Sequence, residues 1–174
     1  RMGSNAIEKP MQIVGGKPVV MRVVEAMQGC KNVDDILVSV SSNTPNTERF
    51  LQDMGVETIR TSGDDFMEDL HESFSIMNGD YVLTCPSDLP LLTTEVVDSF
   101  IEYFVPDVMQ SALAVVDEQT VRRIGIEPSY TREDGGRNWV LSGICIMNRE
   151  GTLRGEYLEE YLFQTNWVEL SVNM

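Results

Sequence analysis

The sequence predicts an α/β fold in which strands and helices alternate as parallel, right-handed βαβ units. Short apolar runs alternate with segments of helical periodicity over the first hundred residues. The clearest run lies within residues 81–90 and is rich in Val, Leu and Tyr. It is interrupted by a single carboxylate, Asp88, which stands between Pro86 and Pro90. A helical pattern follows, so we expect a buried central strand with Asp88 just past its carboxyl end. The 174 residues suffice for one core, and we expect a single domain over 1–174.

Strong local signals define the elements before this run. Pro18 opens a helix that Gly29 ends. The apolar face of that helix follows i, i+3, i+4, i+7 spacing and consists of Val20, Val23, Val24 and Met27. Thr44, before a proline, indicates an N-cap, and Asp65 with Glu68 three residues on forms a capping-box pattern. The remaining predictions are a loop at 1–10, an extended piece at 11–14, and strands at 35–40 and 56–60.

The second half of the chain alternates less regularly. Residues 117–138 lack a sustained period and predict a loop-rich excursion, with a hairpin as the alternative. In the strand-like run 139–147, Ser142 and Gly143 indicate a bulge or a close approach to a ligand. The other predicted elements are a helix capped by Thr93 or Thr94 and running to Phe104, a strand at 112–116, a short helix at 156–164 and a last strand at 167–172.

Composition argues against two classes of protein and favours one compartment. No segment approaches the roughly 18 uninterrupted apolar residues of a membrane span. The net charge of −15 argues against a nucleic-acid partner, because phosphate backbones require a basic face. Cys30, Cys85 and Cys145 have neither metal-ligand spacing nor an even count, so a reducing, cytoplasmic setting is expected.

The charge is unevenly distributed along the chain. Residues 1–31 carry five basic and two acidic side chains, whereas the remainder carries eight basic and 26 acidic ones. If a small anionic ligand binds, its positive lining should therefore come largely from the N-terminal region.

Asp88 is the candidate metal ligand. Ligands bind at the carboxyl edge of open α/β sheets, because the loops there diverge into a crevice. A carboxylate at that edge can hold Mg²⁺, and the cation can bridge to substrate phosphates. The alternative is that Asp88 only caps the turn before Pro90.

Several short motifs occur in a characteristic order. Arg1-Met2-Gly3 and Lys9-Pro10 open the chain. The others are Glu8-Lys-Pro10, Ser42-Asn-Thr-Pro45, Thr61-Ser-Gly63 with Glu68-Asp-Leu70, Ser87-Asp-Leu89 and Ser142-Gly-Ile144. Their order and spacing resemble the molybdenum-cofactor-guanylyltransferase-like family of nucleotidyltransferases, and within it the archaeal GTP:adenosylcobinamide-phosphate guanylyltransferases. The resemblance implies a three-layer Rossmann-like nucleotidyltransferase fold with a mostly parallel, mixed central sheet.

The resemblance also implies a reaction. GMP would pass from GTP to adenosylcobinamide phosphate, with release of pyrophosphate, in cobalamin biosynthesis. Such a transfer depends mainly on positioning and on charge neutralisation by cations and backbone N–H groups. Lys9 would then contact the phosphates near the α position, Arg1 would hold the β and γ phosphates, and Asp88 would hold Mg²⁺.

Further contacts follow from the same resemblance. The implied nucleoside contacts are Asn43 and Thr44 after one strand, and Ser62, Gly63 and Asp64 after the next. Asp64, or a nearby backbone carbonyl, would accept from guanine N1 and N2, which would favour GTP over ATP. Gly143 is implied as one more binding position. The alternatives are that Thr44 and Asp64 are helix-capping residues only and that Lys9 is an ordinary surface lysine.

The sequence departs from the family pattern at three places. The family's first strand and the Ala-Gly-Gly part of its loop do not precede Arg1, its last helix does not follow Asn173, and Cys145 replaces a polar residue. We therefore expect an N-terminal segment of the protein before Arg1. Two other functions stay open, a nucleotidyltransferase with another acceptor (molybdopterin, a sugar phosphate or phospholactate) and a non-catalytic nucleotide-binding module. The sequence does not fix the oligomeric state, and a homodimer is compatible with it.

Overall fold

The computed structural model describes residues 7–174. Arg1, expected to bind the β and γ phosphates, lies outside the described residues.

The α-helices are α1 (Val19–Gln28), α2 (Pro45–Asp53), α3 (Phe66–Ile76), α4 (Thr94–Tyr103), α5 (Glu118–Arg123) and α6 (Arg149–Leu153). The strands are β1 (Ile13–Val14), β2 (Lys17–Pro18), β3 (Val38–Val40), β4 (Thr58–Arg60), β5 (Tyr81–Thr84), β6 (Ser111–Asp117), β7 (Thr131–Asp134), β8 (Arg137–Asn148) and β9 (Glu160–Thr165). Short 3₁₀ helices lie at Lys9–Met11 and Val168–Leu170, and no helix in this part of the chain is long and apolar enough to cross a membrane.

The predicted α/β class is confirmed. Five strands form one sheet. Four of them follow the order β5-β8-β6-β9. The fifth, β7, pairs with residues 137–140 of β8, whereas β5 pairs with residues 145–148 of the same strand. Strand β8 runs antiparallel to β5, β6 and β7, while β6 and β9 are parallel, so β8 is reversed relative to its four companions in this sheet. Strands β3 and β4 form a separate parallel pair. The large sheet is therefore mixed, with most of its strands pointing the same way.

Helix caps follow the local signals at two of the predicted positions. The Asp65 carboxylate accepts from the backbone N–H groups of Met67 at 2.9 Å and Glu68 at 3.1 Å, which begins α3 as predicted. The Thr93 hydroxyl accepts from the Val96 N–H at 3.4 Å at the start of α4. In both caps the N–H donors lie two or three residues after the capping side chain, so the local sequence is sufficient to predict the hydrogen bonds.

Strand β5 is less central than its composition predicts. Within residues 7–174 it pairs only with β8 and lies at one end of the five-stranded sheet. Strand β6 lies between β8 and β9, and every one of its residues is buried. A short apolar run shows that the faces of a strand are covered. It does not reveal how many neighbours share its hydrogen bonds, because tertiary pairing decides that.

Two predictions for the C-terminal part are wrong. The segment predicted as a helix at 156–164 contains β9, and the strand predicted at 167–172 is a single 3₁₀ turn. Strand β9 pairs in parallel with β6, and this pairing overrides the helix preference of its Glu and Gln residues. The hairpin alternative for 117–138 is confirmed as β7–β8, but helices α5 and α6 were not predicted.

Helix α1 packs against both the β3–β4 pair and the five-stranded sheet. Val20 and Val24 on one side pack with Val40 of β3 and Leu51 of α2. Val23 and Met27 belong to the main core with α4 and β6. The predicted apolar face is therefore confirmed. Because α1 packs on both sheets, the loops after β3 and β5 reach the same region of the molecule.

Candidate active site

A cleft lies where the loops after β3 and β5 meet the 3₁₀ helix Lys9–Met11. Its volume is about 480 Å³. The lining residues are Glu8, Lys9, Pro10, Asn43, Thr44, Pro86, Ser87 and Asp88. A smaller cavity of about 180 Å³ shares Pro10, Thr44 and Ser87 with it. Four residues assigned to the site from sequence thus share one cleft.

Lys9 is the basic side chain that residues 7–31 contribute to the lining of this cleft. It is exposed at the start of the 3₁₀ helix. Two neighbouring basic residues are engaged elsewhere, since Lys17 pairs with Glu25 at 2.5 Å and the Arg22 guanidinium donates to the Val14 carbonyl at 2.7 Å. Of the basic residues in 7–31 that were expected to line an anion site, Lys9 is therefore the one that lines this cleft.

Asp88 lies half-buried in the loop that follows β5. Residues 7–174 contain no group of three or more His, Cys, Asp or Glu side chains arranged to hold a metal ion. A divalent cation at Asp88 would therefore take most of its ligands from phosphates and water. Mg²⁺ is commonly held in this way, by one or two carboxylates and substrate phosphates, so the single carboxylate fits Mg²⁺.

Glu8 lines the same cleft and was not assigned from sequence. Its carboxylate accepts from the backbone N–H groups of Asn46 at 2.9 Å and Thr47 at 2.7 Å, and from the Thr47 hydroxyl at 2.5 Å. These N–H groups belong to the first turn of α2, so Glu8 caps this helix and complements its dipole. The cap also ties the segment that carries Lys9 to the turn that carries Asn43.

The Thr44 side chain does not cap α2. Its hydroxyl accepts from the Ser41 N–H at 3.1 Å and donates to the Ser41 carbonyl at 3.3 Å, and so closes the turn after β3. The predicted side-chain cap is wrong because Glu8, which lies 38 residues before Asn46 in sequence, accepts from the free N–H groups of the helix. A local pattern cannot indicate a donor–acceptor pair formed over that separation.

We expect Glu8→Gln to lower the free energy of unfolding by about 1 kcal/mol, because the neutral amide is a weaker cap. Burial raises the pKa of the Glu8 carboxyl, but hydrogen bonds from Thr47 and Asn46 outweigh it and leave the pKa below its ordinary value of 4.5. The unfolded state therefore binds the proton more tightly. The stabilisation is present above pH 4.5 and is lost as the pH falls through the folded-state pKa.

Urea unfolding of wild type and variant, at neutral pH and in steps below pH 4.5, measures this contribution. The difference between the two proteins should narrow as the pH falls. Glu57→Gln is the matched control, since Glu57 is exposed and the substitution removes the same charge. An equal loss in both variants, or a difference that does not change with pH, would contradict the assigned cap.

The loop after β4 is held by Asp69, another residue not assigned from sequence. Asp69 accepts from the Ser62 hydroxyl at 2.9 Å and from the Gly63 N–H at 3.0 Å. Gly63 has φ +73°, and a Cβ there would lie 2.7 Å from the Ser41 Cβ, so glycine permits the close approach to the turn after β3. Gly63 and Asp69 line the smaller cavity, whereas the exposed Asp64 lines neither cavity.

Gly143 lies beside the cleft without lining it. It occupies the β8 strand where the register with β6 shifts between Leu113 and Val115, so the predicted bulge is confirmed. Its φ is +78°, and a Cβ there would lie 2.8 Å from Pro86 Cγ. The close approach of Gly143 in this structure is therefore to the loop that carries Asp88.

The cysteines near the cleft are not activated. Burial raises the pKa of the Cys85 thiol, which follows β5, and burial raises the pKa of Cys145 to about 11. Both groups are thiols at neutral pH, which argues against a thiolate nucleophile. Together with Cys30, whose pKa burial raises to about 12, they are free cysteines, as the composition predicts.

Solved structures of low sequence identity share this fold. The CMP:2-keto-3-deoxy-manno-octonic acid synthetase complexed with CTP superposes with a TM-score of 0.72 at 16% identity, over 93% of this chain and 85% of that one. A hypothetical transferase from Thermus thermophilus gives 0.72 at 15% identity, over 98% and 89%. The inositol-1-phosphate CTP transferase from T. maritima gives 0.65 at 14% identity, over 94% and 79%. The chain therefore has the α/β fold of the nucleotidyltransferases.

The particular family follows from the sequence. The chain belongs to the MobA-like NTP transferase domain family, which it matches over residues 1–158. The 2-C-methyl-D-erythritol 4-phosphate cytidylyltransferase of Bifidobacterium longum is 26% identical over 161 residues, which is 91% of this chain and 55% of that protein. The chain thus spans about half the length of the curated relatives it matches. The nucleotidyltransferase family inferred from the motifs is confirmed.

Proposed function

We propose that this protein transfers a nucleoside monophosphate from a nucleoside triphosphate to a phosphorylated small-molecule acceptor and releases pyrophosphate. The observation that carries the proposal is that Lys9 and Asp88 line one cleft of about 480 Å³, with Asn43 and Thr44 beside them. A positive group and a metal-binding carboxylate on one cleft suit a triphosphate and its Mg²⁺. The volume falls within the range of roughly 300–1,000 Å³ that small-molecule sites occupy.

The proposed reaction is an in-line displacement. An oxygen of the acceptor phosphate attacks the α-phosphorus, the bond to the bridging oxygen breaks, and pyrophosphate leaves with the bond's electron pair. Lys9 neutralises phosphate charge near the α position, and Asn43 and Thr44 contact the nucleoside. Mg²⁺ held by Asp88 supplies Lewis-acid stabilisation of the phosphate oxygens when it is bound.

We infer GTP as the nucleotide and adenosylcobinamide phosphate as the acceptor from the order of the motifs. Glu8-Lys-Pro10, Ser87-Asp-Leu89 and Ser142-Gly-Ile144 support this inference, since they occur in one chain at the spacing of the archaeal guanylyltransferases. In this proposal Ser62, Gly63 and Asp64 read the base, with Asp69 holding the loop.

Cytidylyl transfer is the second candidate. It is favoured by the relatives, whose names describe cytidylyltransferases. The two candidates use the same cleft and differ in the base that the loop after β4 accepts. We place either reaction in a reducing, cytoplasmic setting, because the three cysteines are free thiols.

A pyrophosphate-release assay tests the proposal. The purified protein is incubated with Mg²⁺, with GTP, CTP, ATP or UTP, and with adenosylcobinamide phosphate, 2-C-methyl-D-erythritol 4-phosphate or a sugar phosphate. We expect release that needs nucleotide and acceptor together and is fastest with GTP and adenosylcobinamide phosphate. Release with CTP and another acceptor supports the second candidate. Nucleotide binding by calorimetry without turnover on any acceptor would contradict both and favour a binding module.

A further inference from the structure

The bulge in β8 is stabilised by one side chain. At the bulge, the Ser142 hydroxyl donates to the Ala114 carbonyl of β6 at 2.5 Å and accepts from the Ile144 N–H at 3.0 Å. Ser142 is buried, and it supplies partners for backbone groups that the register shift takes out of the ladder. Gly143, between these groups, is thereby held in the left-handed region with φ +78°.

The bulge brings β8 against the loop that carries Asp88. A Cβ at Gly143 would lie 2.8 Å from Pro86 Cγ and 3.5 Å from Pro86 Cδ. The first distance is too short for a side chain to fit without a shift of the proline ring. The ring itself cannot rotate away as a flexible side chain would, because it is closed onto the backbone.

The loop is also fixed on its other side. Leu89 is 2% exposed and belongs to the main core. The Asp88 carbonyl accepts from the Met174 N–H at 3.0 Å. Asp88 therefore lies between Pro86, which rests on Gly143, and a buried anchor. With Leu89 held, a displacement of Pro86 has to be absorbed by Ser87 and Asp88.

We propose that Gly143 is a positioning residue whose contact with Pro86 sets the place of the Asp88 carboxylate in the cleft. The inference rests on the proposed function and extends it, because it assigns Gly143 to the metal-binding side of the site through Pro86 and does not make it a contact of acceptor or nucleotide. A Cβ at Gly143 that displaces Pro86 should then alter the dependence of the reaction on Mg²⁺ more than its dependence on either substrate.

The test compares Gly143→Ala with Gly155→Ala. Gly155 has φ +70°, and a Cβ placed there would have no atom within 4 Å, so its alanine variant carries similar backbone strain without the contact. In the pyrophosphate assay we expect Gly143→Ala to raise the half-saturating Mg²⁺ concentration by about 10-fold, the effect typical of losing support behind a metal ligand. Gly155→Ala should leave it unchanged. Equal behaviour of the two variants, or a change confined to the acceptor KM, overturns the proposal.

A rescue variant separates contact from strain. Pro86→Ala removes the ring atoms that a Cβ at Gly143 would meet, so Gly143→Ala with Pro86→Ala should need less Mg²⁺ than Gly143→Ala alone. Pro86→Ala alone is the control for this comparison, because it removes the same contact without adding a Cβ. No recovery in the double variant, together with wild-type Mg²⁺ dependence in Pro86→Ala alone, overturns the proposal.

An activity-independent measurement distinguishes this inference from the proposed function. Backbone amide NMR of the metal-free protein should show shifts at Ser87, Asp88 and Leu89 in Gly143→Ala and not in Gly155→Ala. Unshifted loop amides overturn the positioning role even if the enzyme is active. Shifted amides in a protein that releases no pyrophosphate support the contact with the loop while contradicting the proposed reaction.

Discussion

Asp88→Asn is expected to reduce Mg²⁺-dependent pyrophosphate release by about 100- to 1,000-fold, because metal stabilisation of the transferring phosphate is worth several kcal/mol. The amide keeps the shape of the side chain but loses the negative charge that would hold the cation in the proposed site. Since Asp88 is half-buried in a loop anchored by Leu89, we expect the fold to tolerate the change. Steady-state rates at saturating nucleotide and acceptor, over a series of Mg²⁺ concentrations, measure the effect.

Asp107→Asn is the matched control for this prediction. Asp107 is exposed and does not line the cleft, and its replacement changes the net charge by the same amount. The control should retain wild-type rates and wild-type Mg²⁺ dependence. If Asp88→Asn were as active as the control while both unfolded at the wild-type temperature, Asp88 would not be the metal ligand.

Lys9→Ala is expected to lower kcat/KM for the nucleotide by about 100-fold, the loss typical of removing one donor that stabilises charge in the transition state. Within residues 7–31 it is the basic side chain that lines the cleft, and Glu8 fixes the neighbouring backbone on α2. Stability should change little, since the side chain is exposed. Initial rates over a range of nucleotide concentrations separate the effect on kcat from that on KM.

Lys17→Ala provides the comparison for Lys9. Lys17 lies outside the cleft lining and pairs with Glu25 at 2.5 Å, an exposed ion pair of the kind worth about 0–1 kcal/mol. This variant should keep the wild-type kcat/KM. Comparable losses in the two variants would indicate a general effect of positive charge, and an active Lys9→Ala would remove Lys9 from the proposed mechanism.

Features that depend on neighbours in sequence agree with the predictions from pattern. Asp65 caps α3 and Thr93 caps α4. Val20 and Val24 lie on the buried face of α1. The bulge at Gly143 is present where glycine interrupts a strand-like run. In the caps and the helix face, the interacting groups are a few residues apart or share one period, so the local sequence carries the information. At the bulge the local signal is the glycine, which permits the positive φ, whereas the partners of the bulge lie on other segments.

Features that depend on distant partners differ from the predictions. Glu8 caps α2 in place of Thr44, because its carboxylate reaches N–H groups that are remote in sequence. Strand β9 forms where a helix is predicted, because β6 offers it a backbone edge. Asp69 was not assigned to the site from sequence. It lies in α3, and it acts by accepting hydrogen bonds from Ser62 and Gly63 in the loop before that helix.

The sequence by itself determined the α/β class, the caps of α3 and α4, the apolar face of α1 and the family to which the chain belongs. The tertiary structure decided which loops meet, and so brought Lys9, Asn43 and Asp88 to one cleft and Gly143 against Pro86. The physical reason is the range of the interactions. Caps and periodic faces are satisfied within one or two turns of chain, whereas clefts and strand pairs form between segments whose separation in space is set by packing of the whole core.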